Sequence, residues 1–285
     1  MRALGFGLWQ KPRAESREPS IPEVEFRAMT LLVLRPLGPA LVLVFILSGF
    51  ASAQDVPEPV SGQPGKDVVW VPTPAETVEQ MLTAANVGPM DFVMDLGSGD
   101  GRNIIAAARR GARARGVEFN PDLVRLSQQR AAAAGVSDRA QFVEGDMYQA
   151  DVSQASVLAL FLLPSNMLQL RSTFLDMTPG SRIVANTFGI EGWTPDRTEQ
   201  VPNCTSWCTV MLWIVPAKVA GAWQTPNGLL TVKQDYQVIS GTLGSTPVTG
   251  RLNGDQITFT AGGTEYSGKV IGNRIEGANW TATRN

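Results

Sequence analysis

Between residues 68 and 188 the apolar positions alternate between short continuous runs and helical spacings. Val93, Met94 and Leu96 form a short apolar run closed by Gly97, which predicts a strand buried on both faces of a parallel sheet. Gly97, Ser98, Gly99, Asp100 and Gly101 then make a turn with little side-chain bulk, residues 104–108 predict a helix, and a second strand ends at Glu118. Upstream, residues 68–71 are a short apolar run. Thr73-Pro74-Ala75-Glu76 is a predicted capping box with proline at the first helical position, and Val78, Met81, Leu82 and Ala85 follow at helical spacing.

Downstream, Asn120-Pro121-Asp122 predicts a capped helix carrying Leu123, Leu126 and the alanines at 131–134, ended by Gly135. A third strand is expected at 140–143 and a fourth at 156–163, the latter almost wholly apolar and therefore central. Pro164 is expected to stop it. Residues 166–177 predict a helix with Met167, Leu168, Leu170, Phe174 and Leu175 on its core side, and residues 183–188 a fifth strand. Strand and helix alternate throughout, so the fold class is α/β: a Rossmann-like, doubly wound parallel sheet that binds ligands at its strand C-termini.

The pattern changes after residue 193. Residues 193–203 contain proline and predict a loop, and 209–215 another strand. From Gly221 the chain reads as short strands at 229–239, 247–252, 256–260, 266–270 and 274–280, with hairpin signals at Asn253-Gly254 and Gly272-Asn273. The segments 250–257 and 268–275 resemble each other, which predicts a repeated hairpin within a small antiparallel β-meander whose apolar alternation reads as core.

The N-terminal part differs again. Residues 1–28 are polar and aperiodic and lead into Met29, the expected start; Arg35, an apolar run at 41–47 and Ala51-Ser52-Ala53 then have the layout of a secretory signal. Cleavage is expected near Ala53, giving an exported periplasmic or extracellular chain, with an uncleaved membrane anchor as the alternative. The expected organisation is therefore an extension and signal at 1–53, a flexible Pro/Gly/Ser-rich leader at 54–67, an α/β domain at 68–217 and the meander at 218–285.

Composition adds mainly exclusions. The chain has 285 residues, 44% hydrophobic and 18% charged, enough for about two domains with real cores. A net charge of −2 offers no general basic surface for nucleic acid, and the absence of histidine excludes histidine-based triads, bases and metal ligands. No metal set is expected.

The candidate chemistry lies in the glycine turn. A strand, a glycine turn and a helix start are expected to aim free backbone N–H groups at a ligand, and missing Cβ atoms let that ligand touch the main chain. The dinucleotide fingerprint needs a third glycine where this chain has Arg102; the spacing here is G-x-G-x-G, preceded by Asp95. A carboxylate there repels a pyrophosphate but suits a ligand with an ammonium group and a positive sulfur, which describes S-adenosylmethionine. Glu118, 23 residues after Asp95, stands near the spacing at which a carboxylate reaches ribose hydroxyls. The plainer alternative is a glycine turn that only joins strand to helix.

With these features in place, residues 68–216 resemble the class I, seven-strand S-adenosylmethionine-dependent methyltransferases. Segments 71–74 (VPTP), 95–102 (DLGSGDGR), 116–118 (GVE) and 161–164 (FLLP) look closest to the small branch that contains the ATP synthase c-subunit lysine methyltransferase and its bacterial relatives. The resemblance implies a methyltransferase whose cofactor site comprises Asp95, Gly97, Ser98, Gly99, Gly101, Glu118, Asn120, Asp146 and Met147. In it, Asp95 and the glycine backbone meet the methionine moiety, Glu118 the ribose, and Asp146 with Met147 the adenine. It also implies a substrate entrance built from Trp70, Thr73, Leu163, Pro164 and Asn166, near Phe161 and the loop at Trp193. The methyl acceptor is unknown, with protein lysine as one candidate, and no catalytic base is identifiable. Nucleic acid is not an expected partner, and membrane contact is expected only through an uncleaved N-terminal segment. A second reading keeps the fold without the catalysis, as an exported protein that binds an adenosyl ligand or a partner, because the cofactor is made in the cytosol.

Cys204 and Cys208 are the only cysteines. Four residues along an extended strand span about 13 Å, beyond the ~4.4 to 6.8 Å of a bridge. A disulfide therefore requires a turn at Thr205-Ser206-Trp207, and two free thiols are the alternative.

Overall fold

The computed structural model describes residues 56–284. The expected start at Met29, the signal and its cleavage point lie outside the described residues.

Strand β1 (Phe92–Leu96) pairs in parallel with β2 (Arg113–Glu118) and with β4 (Val157–Leu160); β2 pairs with β3 (Ala140–Glu144), and β4 with β5 (Arg182–Asn186). All four residues of β4 are buried, as its continuous apolar run predicts for a strand covered on both faces. On one face of the sheet lie α1 (Ala75–Ala84), α2 (Arg102–Arg109) and α3 (Pro121–Ala133), contributing Met81, Leu82, Ile104, Val124 and Ala131 to a common core. On the other, α4 (Pro164–Leu175) buries Met167, Leu170 and Phe174 against Leu158, Leu160 and Trp213.

Two prolines act differently from their predicted roles. Pro74 is the residue before α1 rather than its first, and no side chain caps that helix. The Thr73 carbonyl instead accepts from Arg102 Nη1 at 2.6 Å, so Thr73 ties α1 to α2. Pro164 opens α4, where its missing N–H costs nothing, so β4 stops at Leu160 and the helix begins two residues before the predicted one.

The predicted loop at 193–203 contains an edge strand, β6 (Arg197–Gln200), whose side chains are largely exposed and carry no apolar signal. It pairs antiparallel with β7 (Thr209–Ile214), which is antiparallel to β5. The sheet order is β3-β2-β1-β4-β5-β7-β6, parallel except for β7.

The C-terminal module is the expected small antiparallel β-meander, and its strands close into a barrel. Its strands are β8 (Gly221–Thr225), β9 (Gly228–Asp235), β10 (Val238–Leu243), β11 (Thr246–Asn253), β12 (Gln256–Ala261), β13 (Thr264–Ile271), β14 (Arg274–Gly277) and β15 (Thr281–Thr283). Closure is made by β15 on β8, through Thr283 opposite Gln224. The predicted single strand at 229–239 is a hairpin whose turn, Tyr236-Gln237, has Tyr236 at φ 51°, a conformation that its side chain does not advertise. Likewise the turn residues after β11 are Gly254-Asp255, because Asn253 still pairs with Gln256. Trp223, Leu230, Ile239, Leu252, Ile257 and Phe259 are buried together inside, so the barrel is a packed core. It meets the α/β domain through Trp193: its Nε1 donates to Gln237 Oε1 at 2.9 Å, and its ring stacks on Tyr236 at 5.3 Å. Arg251 pairs with Asp196 across the same junction.

Candidate functional site

At the C-terminal ends of β1, β2 and β3 a cleft opens, lined by Asp95, the glycine turn, Glu118, Phe119, Leu123, Asp146, Met147 and Phe161, and covered by residues 63–73. Asp95 is 4% exposed because it lies one residue before the end of β1, between β2 and β4. Its Oδ2 accepts from Asn103 Nδ2 at 3.0 Å, and among the described residues it has no cationic partner. Burial pushes its carboxyl well above the ordinary range, the Glu118 and Asp100 charges add to that, and the Asn103 amide offsets part.

Three of the donors expected of the glycine turn are already taken. Gly97 N and Ser98 N donate to the Val117 carbonyl at 2.8 and 3.0 Å, and Gly99 N donates to Glu118 Oε2 at 2.8 Å. The turn closes on the end of β2, and its glycines supply backbone shape and room. Gly97, Gly99 and Gly101 have φ of 74°, 55° and 80°. A Cβ on Gly99 would stand 2.7 Å from Trp70 Nε1, so that glycine lets the covering segment lie against the turn. A Cβ on Gly101 would meet the Phe142 ring at 2.7 Å, behind the cleft, and Gly101 does not line it. Ser98 lines the cleft, but its Oγ is turned under β2, 2.4 Å from where a Cβ on Gly116 would be.

Glu118 is fixed through both oxygens, Oε1 accepting from Asn120 N at 2.9 Å. Each oxygen keeps a lone pair for a ligand hydroxyl. Asp146 Oδ1 accepts from Tyr148 N at 2.9 Å, and Oδ2 pairs at 2.7 Å with Lys66, whose Nζ also lies 4.7 Å from the centre of the Phe119 ring. The hydrogen bond from Lys66 holds the Asp146 carboxyl below its ordinary value. Thus an adenine edge at Asp146 would meet an acid that already has a lysine partner. Asp100 is pinned by Arg102 and Arg130; burial alone would raise its carboxyl, and the two guanidinium groups outweigh that and hold it low.

The predicted entrance is divided. Trp70 and Thr73 line the cleft; Leu163, Pro164 and Asn166 do not. Leu163 is 41% exposed at the start of α4, and Asn166 is buried, donating to the Tyr148 hydroxyl at 2.6 Å. The chain turns into α4 at Pro164, so these three belong to the helix start and not to the lining of the cleft. Sequence reasoning missed Asn103, Lys66 and Phe119. Of these only Asn103 leaves a trace, a polar residue in the first turn of an otherwise apolar helix. Cys204 and Cys208 form a disulfide, with Cα atoms 5.6 Å apart across the turn at 205–207.

The donor set fits S-adenosylmethionine on the structure's own terms. A buried carboxylate without a cation suits the ammonium end, a rigid carboxylate suits the ribose, and Met147, Leu123 and Phe119 offer apolar surface for a base. Residues 95–197 match the family model described as the ANTKMT methyltransferase domain. A protein-lysine N-methyltransferase of Saccharolobus islandicus is 38% identical over 152 residues, 52% of this chain and 94% of that protein. The ATP synthase c-subunit lysine N-methyltransferase of Mus musculus is 38% identical over 141 residues, 48% of this chain and 56% of that protein. Among solved structures, an RNA methyltransferase from Salinibacter ruber in complex with S-adenosyl-L-homocysteine is 43% identical with a TM-score of 0.50, covering 52% of this chain and 96% of that one. Fold, cleft and relatives agree: the chain belongs to the class I S-adenosylmethionine-dependent methyltransferases, in the branch of these lysine N-methyltransferases.

Proposed function

We propose that this protein methylates the side-chain amine of a protein lysine. The observation that carries the reading is the acid-lined cleft on a domain that spans 94% of a protein-lysine N-methyltransferase at 38% identity. Asp95 takes the cofactor's ammonium group, Glu118 its ribose hydroxyls, and Met147 and Leu123 its base, with Asp146 and Lys66 at the base's edge. The bound cofactor supplies a methyl group already activated by its sulfonium. The protein's part is to orient and to exclude water: Trp70 and the segment around it cover the cleft, and positioning supplies most of the effect. The acceptor amine must be neutral at the moment of transfer, and desolvation at the cleft favours loss of its proton.

An RNA acceptor, the substrate class named for the Salinibacter protein, is less favoured here, since the chain's net charge is −2 and acids crowd the cleft. The disulfide supports the further reading that the chain works in an oxidising compartment outside the cytosol, reached through the signal-like segment ending near Ala53. A reporter fused after residue 60 tests that; retention in the cytosol overturns it.

The activity test uses the full chain, methyl-labelled S-adenosylmethionine and envelope proteins, followed by hydrolysis and amino-acid analysis. Label in ε-N-methyl-lysine is the expected result. Label in RNA, or no transfer, overturns the reading.

A further inference from the structure

Phe161, Phe188 and Trp207 follow or precede three neighbouring strands, β4, β5 and β7, and pack on one another. Phe161 and Phe188 stack at 6.0 Å with 11° between planes, and Trp207 leans on both at 5.5 and 5.7 Å. Phe161 lines the cofactor cleft, so the trio stands at its edge. Trp207 is nevertheless 38% exposed, which is unusual for an indole packed only to fill space.

The backbone around the trio is held at a cost. Phe188 N donates to the Asn186 carbonyl at 2.6 Å across Thr187, a tight three-residue turn with a β-branched residue at φ 60°. Trp207 itself has φ 58° and Asn203, next to Cys204 in the same loop, 57°, so three of the five non-glycine residues with left-handed backbone among the described residues lie in the two loops that carry Phe188 and Trp207. A left-handed backbone is unfavourable for a β-branched or aromatic residue, so Thr187 and Trp207 are held there by their surroundings. The Cys204–Cys208 disulfide staples the loop that carries Trp207, and Thr77 Oγ1 of α1 donates to the Trp207 carbonyl at 3.2 Å. Asn186, fully buried, leaves its Nδ2 unpartnered beside this turn. Strain concentrated on one half-exposed aromatic group, in a domain otherwise regular, is the mark of a binding surface rather than of core packing.

We propose that the Phe161–Phe188–Trp207 trio is the acceptor platform, receiving the aliphatic stem and the amine of the substrate lysine and presenting it to the cleft. This rests on the lysine reading above. Ring faces attract an ammonium through their quadrupole and accept a methylene stem by burial, and the proton is lost only as the amine passes on into the drier cleft. The disulfide then acts as a staple that keeps Trp207 in place.

The test is an NMR titration of the full chain, 15N-labelled, saturated with S-adenosylhomocysteine so that only the acceptor side is open. The Trp207 indole signal is assigned by its loss in Trp207→Phe. Nα-acetyl-lysine methylamide is expected to shift that signal saturably, and the uncharged norleucine analogue to bind about fivefold more weakly. Trp207→Ala, and Cys204→Ser with Cys208→Ser as an independent variant, should each weaken the lysine probe and leave S-adenosylhomocysteine affinity unchanged. Equal binding of the two probes, no shift at Trp207, or variants that bind as wild type overturn the platform. If ε-N-methyl-lysine forms but these variants leave the KM for protein substrate unchanged, the platform fails while the function stands. If the lysine probe binds at Trp207 but no methyl-lysine is made, the function fails while the platform stands.

Discussion

Replacing Asp95 with asparagine should make the unliganded protein more stable and its cofactor binding weaker. The carboxylate is 4% exposed, sits near two other acids, and has only a hydrogen bond from the neutral Asn103 amide at 3.0 Å to stabilise its charge. Its raised pKa means that the folded state holds the proton more tightly than the unfolded chain. Stability is therefore fully present below the unfolded value of about 3.9 and is lost as pH rises toward the folded value, by ~1.4 kcal/mol for each unit between them. Asparagine has the same shape, keeps an oxygen for Asn103, and does not titrate. A gain of about 1 kcal/mol at neutral pH is a reasonable magnitude for relieving such a site, or roughly 2–4 °C in a domain of this size. Against that, losing a charged hydrogen bond to the cofactor's ammonium should cost ~1.5–3 kcal/mol, a weakening of about 10- to 150-fold. Thermal melts without ligand and calorimetry with S-adenosylmethionine measure the two effects. Calorimetry in buffers of different ionisation enthalpy should also show protons released on binding by the wild type and fewer by Asp95→Asn. Asp91 and Asp100 have the opposite sign: burial raises each, but hydrogen bonds and guanidinium groups hold both low, so their contributions vanish only as pH falls below the ordinary carboxylate range, outside the Asp95 window. A variant that melts earlier and binds the cofactor as well as wild type would refute the reasoning.

Gly116→Ala should destabilise by ~1–3 kcal/mol and weaken cofactor binding, because its Cβ would stand 2.4 Å from Ser98 Oγ and 2.8 Å from the Phe142 ring and so push on the glycine turn; melts and calorimetry check both, and wild-type behaviour contradicts it. Gln237→Leu should cost roughly 1–3 kcal/mol by leaving the buried Trp193 indole N–H without its acceptor, while cofactor affinity stays unchanged, since the junction with the barrel lies away from the cleft; denaturant unfolding and calorimetry separate the two.

Most of the α/β architecture was legible because its signals are local. The apolar run of β4, the Asn120 cap, confirmed by its bond from Asp122 N, and the acids at strand ends all act within a few residues. What could not be read depends on contacts between distant segments. Lys66 reaches Asp146 across 80 residues, and three of the glycine turn's donors are taken by the end of β2. β6 is exposed and polar, so pairing with β7 alone makes it a strand. Barrel closure hangs on the meeting of β15 with β8, and the Tyr236 turn has none of the usual glycine or asparagine at its positive-φ position. The disulfide was undecidable by spacing, since it needed a turn that Trp207 makes by adopting φ 58°.

The central claim, that the acids at the ends of β1 and β2 hold one S-adenosylmethionine, is tested most directly by calorimetric titration of the full chain with that compound. The account predicts saturable binding of one cofactor per chain, competed by S-adenosylhomocysteine and lost or severely weakened in Glu118→Ala. Absence of binding by the folded wild type, or binding that Glu118→Ala leaves intact, would contradict it.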